Sequence, residues 1–93
     1  MGQADQAEHI ALQALGWLAE DGDRIGHFLG ATGLAPGDLR GLAQEPEFLA
    51  AVLDFVLAED AHVLALAART GLAPEAITRA RAALPGGDLP HWT

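Results

Sequence analysis

The chain has 93 residues, no cysteine and a formal net charge of −8. That length makes one domain with a modest core, and the missing thiols exclude disulfides and thiolate metal sites. The acidic balance repels polyanions, which opposes broad binding to nucleic acid or to an anionic membrane.

Half of the residues are apolar, and Ala and Leu dominate them. Those residues lose little entropy in a helix, while the β-branched and aromatic residues that favour strands are scarce. The opening, Met1 to Gln6, has neither a basic run nor an apolar run, so no targeting segment is read there. The first predicted helix covers 4–20, with Ile10, Ala14, Trp17 and Leu18 on its core face and His9, Gln13, Gly16 and Glu20 toward water. The second covers 23–31 and carries Gly26 and Gly30 on one side, a pattern that permits close helix packing or a dimer contact. The third covers 36–44. The fourth covers 46–58 and places Phe48, Leu49, Val52, Leu53 and Val56 on one side, with Ala50, Asp54 and Ala58 opposite. The fifth covers 61–69, with Asp60 as its expected N-cap, and the sixth covers 74–84. The apolar stretch from Phe48 to Ala68 is interrupted by Asp54, Glu59, Asp60 and His62, which is unsuitable for a membrane span. The tail, residues 85–93, contains three of Gly and Pro within its first three positions and is expected to be flexible.

The sequence repeats itself. Leu18-Ala19-Glu20-Asp21 recurs as Leu57-Ala58-Glu59-Asp60, and Thr32-Gly33-Leu34-Ala35-Pro36 recurs as Thr70-Gly71-Leu72-Ala73-Pro74. The second string carries its own physics. Gly33 and Gly71 suit the left-handed conformation that ends a helix, with Leu34 and Leu72 as the hydrophobic contact of a Schellman-type cap. Pro36 and Pro74 then open the next helix, since φ is already set and no N–H is lost. The expected architecture is all-α: one domain over residues 1–84, six short helices arranged as two pseudo-repeated three-helix units, about 7–44 and 46–84, in one compact bundle.

Candidate sites are few. Ala67, Gly71 and Ile77 match the spacing of a helix–turn–helix, as do Leu29, Gly33 and Leu39. In that alternative reading Arg69, Arg79 and Arg81 contact DNA. The absence of lysine and the acidic remainder oppose it, because phosphate neutralisation carries most of the affinity. Glu59-x-x-His62 has the spacing of a di-iron ligand pair but no second copy, so no metal is expected. Arg40 is read as pairing with the acidic loop at Glu45 and Glu47, or else as a partner contact. Glu20/Arg24 and Glu75/Arg79 have the i, i+4 spacing of helical ion pairs. There is no Cys, Lys, Tyr or Ser, and no Gly-rich run ahead of a Lys, so no enzyme and no cofactor are expected.

Three strings carry a resemblance: Ile10-Ala11-Leu12-Gln13-Ala14-Leu15; Phe28-Leu29-Gly30-Ala31-Thr32-Gly33-Leu34 with Asp38-Leu39-Arg40; and Pro46-Glu47-Phe48-Leu49-Ala50-Ala51-Val52-Leu53-Asp54-Phe55. Over residues 8–84 the chain resembles the DUF3572 family of short bacterial proteins, a domain of unknown function. The resemblance implies a small free-standing protein of the bacterial cytoplasm and brings no activity, cofactor or catalytic residue. The reading as a whole is a non-enzymatic protein-interaction or regulatory module. Its partner would be another protein or a second copy of itself, with Arg40 and Trp92 as partner contacts.

Overall fold

The structure is a computed structural model that describes residues 2–85. Trp92, expected as a partner contact, and the other residues of 86–93 lie outside the described residues. Six α-helices follow one another: α1 (Gln3–Ala19), α2 (Gly22–Thr32), α3 (Leu39–Leu42), α4 (Pro46–Leu57), α5 (Asp60–Thr70) and α6 (Pro74–Ala82). A 3-10 turn over Pro36–Asp38 leads into α3, and there is no strand among the described residues.

The core is one apolar cluster built on α1 and α4. α1 contributes Ala7, Ile10, Ala11, Ala14, Trp17 and Leu18, and α4 contributes Phe48, Leu49, Ala50, Val52, Leu53 and Val56. α2 and α5 each insert one fully buried side chain, Phe28 and Leu66, and α6 adds Ile77 and Ala80. α1 touches α2, α4, α5 and α6, while α4 also touches α5 and α6. This crowding corrects one expectation. Ala50, read as facing away from the core, is buried, because a helix with neighbours on several sides buries more than one stripe. Asp54 and Ala58 are exposed, as their positions imply.

The T-G-L-A-P strings act as read, with one refinement. Gly33 and Gly71 have φ of 76° and 82°, and each donates its N–H 2.8 Å to the carbonyl four residues back, Leu29 and Ala67. That single bond is the simpler left-handed cap rather than the two-bond Schellman motif. The preceding threonine adds a side-chain bond to each cap. Thr32 Oγ1 donates to the Phe28 carbonyl at 2.9 Å and Thr70 Oγ1 to the Leu66 carbonyl at 2.7 Å. Each hydroxyl thus satisfies a further carbonyl of its helix's last turn, one position before the one that the glycine N–H takes. Leu34 and Leu72 pack against the core beside each cap.

After the caps the two halves of the chain diverge. α6 runs nine residues from Pro74, but the stretch from Pro36 makes only the 3-10 turn and the four residues of α3. Gly37 and Gly41 lie in that stretch, and each costs about 1 kcal/mol relative to Ala in a helix. Asp38 Oδ2 accepts from the Ala35 N–H at 3.0 Å, which holds the tight turn.

α4 and α5 are separate helices. The chain turns extended at Glu59, with φ −135° and ψ 127°, and Glu59 rather than Asp60 is the cap residue. At the matching junction Asp21 caps α2, its Oδ1 accepting from the N–H groups of Asp23 at 2.8 Å and Arg24 at 3.3 Å. The two L-A-E-D strings therefore do not sit in the same place. α1 runs one residue past Leu18, α4 ends on Leu57, and the cap is the fourth letter in one string and the third in the other.

Candidate interaction surface

The five arginines divide into two groups. Arg69 makes a two-pronged pair with Glu20, its Nε 3.2 Å from Oε1 and its Nη2 2.8 Å from Oε2. Arg81 pairs in the same way with Asp54, at 2.6 and 3.2 Å, and its Nη1 donates to the Pro85 carbonyl at 2.9 Å. Arg24 lies 4.0 Å over the Trp17 ring, with its Nε 3.7 Å from Asp21. Neither i, i+4 pair that the sequence suggests forms: Glu20 turns to Arg69 instead of Arg24, and Glu75 is not within ion-pair distance of Arg79. Among the described residues Arg40 and Arg79 make no ion pair, so the structural pairing of Arg40 with Glu45 or Glu47 is not formed. Arg40 is exposed on α3. Of the three arginines that a helix–turn–helix would present, Arg69 and Arg81 are held by carboxylates and Arg79 is open.

Sequence reasoning missed an aromatic nest. His62 stacks on Phe55 with ring centroids 5.4 Å apart, and Trp17 meets the same imidazole edge-on at 5.7 Å. Phe55 in turn meets Phe28 edge-on, and Phe28 meets Phe48. The edge-on pairs are favoured because a positive ring edge faces a negative ring face. His62 Nδ1 is buried with no hydrogen-bond partner, and its Nε2 lies 3.7 Å from Glu59. The Glu59-x-x-His62 spacing thus places the imidazole in packing contact with the core rim. No group of three or more His, Asp or Glu side chains converges among the described residues. The residues in the nest come from α1, α2, α4 and α5, so no local spacing announces it.

Among the described residues two apolar features stand open to solvent, besides the single exposed Leu12 on α1. On α5, Ala61, Leu64, Ala65 and Ala68 are all exposed, and Leu64 is 62% exposed. Their spacing of i, i+3, i+4 and i+7 is that of a helix face that ordinarily meets a core. Elsewhere, a groove of about 320 Å³ runs between α1 and α6. Ala7, Ile10, Ala76 and Ala80 floor it, and Gln6 and Arg79 are its polar members. It shares Ala82 and Ala83 with a second depression of about 380 Å³ that reaches Glu8, Pro46 and Pro85. Gly26 and Gly30, expected to let another helix of the chain approach, are exposed, and a Cβ built on either meets nothing within 4 Å. Internal packing is therefore not their role.

Short helices around a Leu, Ala and Phe core, with no helix among the described residues long and apolar enough to cross a membrane, define a small all-helical domain. The chain belongs to the family described as Protein of unknown function (DUF3572), which matches residues 4–87. No curated protein and no solved structure matches it.

Proposed function

We propose that the chain is a non-enzymatic protein-interaction or regulatory module of the bacterial cytoplasm. One observation carries the reading: the apolar stripe of α5, with Leu64 at 62% exposure, faces outward in a chain that otherwise buries most of its large apolar side chains. A contiguous exposed apolar helix face of that spacing is the kind of surface that marks an interaction site. Arg40, exposed and unpaired among the described residues, is available to the same kind of partner.

The scaffold is read as two pseudo-repeated three-helix units. In support, α2 and α5 are both eleven residues long and start 38 positions apart, at Gly22 and Asp60. The left-handed glycines, Gly33 and Gly71, and the helix-opening prolines, Pro36 and Pro74, keep that same interval. The buried residues Phe28 and Leu66 keep it too. The carboxylates on Arg69 and Arg81 count against the helix–turn–helix alternative, since a phosphate would have to displace each of them.

The test is capture of partners from host lysate by the tagged chain, with and without nuclease, using wild type and Leu64→Glu. A nuclease-resistant partner that binds wild type and not Leu64→Glu is expected, followed by reconstitution from purified components. Self-association lost in Leu64→Glu would make the partner a second copy. Partners that vanish with nuclease would overturn the reading in favour of DNA binding. Neither a partner nor self-association would overturn it outright.

A further inference from the structure

We propose that the groove between α1 and α6 docks a partner peptide carrying a carboxylate beside apolar side chains, with Arg79 as the carboxylate's anchor. This rests on the interaction-module reading and names a site and a partner chemistry for it. Arg79 is the one charged side chain among the groove's described lining residues. It has no ion-pair partner among the described residues, although Glu75 precedes it by one turn on the same helix. Three of the other four arginines are already held by a carboxylate. A guanidinium presents a fork that fits a carboxylate through two parallel bonds, so an open one above an apolar floor selects an anion with an apolar body.

The whole-molecule charge refines the choice. At −8 the chain repels polyanions, so a strongly acidic partner would be pushed away before it docked. A single carboxylate can pair directly with Arg79, while exposed acids more than a Debye length away, roughly 8 Å at physiological salt, are largely screened. Ala7, Ile10, Ala76 and Ala80 make the floor apolar, and the groove's volume of about 320 Å³ suits a few side chains of a peptide. The Gln6 amide on the rim can both donate to and accept from a peptide backbone.

The test is an amide-resonance titration of the full chain with two capped octapeptide pools. Both pools are built from leucine, isoleucine, phenylalanine, alanine and glycine. One fixes an aspartate at a central position and the other an asparagine. Shifts are expected at Ala7, Ile10, Ala76, Arg79 and Ala80 with the aspartate pool, with the asparagine pool about tenfold weaker. Arg79→Gln should remove the difference between the pools while leaving the fold intact. No shift at those residues, or equal shifts with both pools, would overturn the proposal. So would movement of the groove resonances in the free chain when Asp88→Asn, Leu89→Ala and Trp92→Ala are introduced together, because the chain's own segment would then be the occupant. A lysate partner that depends on Leu64 but survives Arg79→Gln would sink this site alone and leave the module reading standing.

Discussion

At single residues the two helix junctions pose a controlled comparison. Asp21 caps α2 through two backbone N–H groups, whereas Glu59 stands at the corresponding place before α5 with no side-chain bond. A glutamate is one methylene too long to fold back onto the first turn as aspartate does. Asp21→Ala is expected to cost about 1 kcal/mol, and Glu59→Asp to gain a similar or smaller amount, both read from urea denaturation. The glycines give a second contrast. Gly33 and Gly71 have open space around them but positive φ, so alanine at either should cost about 1–2 kcal/mol for backbone reasons alone. Gly26 and Gly30 have open space and ordinary helical backbone, so alanine there should stabilise by up to about 1 kcal/mol each. A loss of melting temperature in Gly26→Ala would show that its open side is occupied in solution.

Between elements, the ion pairs connect parts of the chain far apart in sequence. Glu20 and Arg69 join the end of α1 to the end of α5, and Asp54 and Arg81 join α4 to α6. The first pair is exposed on both sides, at 43% and 61%, so it should contribute little, about 0.2–0.5 kcal/mol, and fade with salt. Arg81 is only 20% exposed and also holds the Pro85 carbonyl, so its coupling to Asp54 should be the larger, near 1 kcal/mol. Double-mutant cycles at low and high salt measure both, and equal couplings would contradict the ranking. These pairs also mark what the sequence could not disclose. Helix ends were legible because their signals are local: a glycine, a threonine and a proline within five residues at Thr32–Pro36 and again at Thr70–Pro74. The partners of Arg24 and Glu20 were not, because i, i+4 spacing competes with Trp17 on one side and with Arg69, 49 residues away, on the other. The nest around His62 and the burial of Ala50 were hidden for the same reason, since both depend on how four helices meet. The other helix ends shift by at most two residues from the expected bounds, and only the third helix changes character, to a 3-10 turn and four α-helical residues where Gly37 and Gly41 sit. Of the candidate site, the open state of Arg79 and the outward stripe of α5 are tertiary facts, visible only once the partners of Arg24, Arg69 and Arg81 and the packing of the other helix faces are known.

For the molecule as a whole, the small core limits how much any one contact can be lost. A chain of this size with no disulfide is expected to hold only about 3–5 kcal/mol of net stability. Phe28 is fully buried and meets Phe48 and Phe55 edge-on, joining α2 to the centre of the bundle. Replacing a buried phenylalanine by alanine costs about 3–5 kcal/mol, which equals the whole reserve. Phe28→Ala is therefore expected to leave the chain largely unfolded at 25 °C, seen as loss of a cooperative transition by circular dichroism. Leu64→Glu should behave in the opposite way. Its side chain is already 62% exposed, so removing it should shift stability by no more than about 0.5 kcal/mol. A leucine that contributes little to the fold yet lies within an apolar stripe has most of its apolar surface available for association. If Leu64→Glu instead unfolds the monomer, the stripe belongs to the core in solution, and the surface assigned to a partner is lost with it.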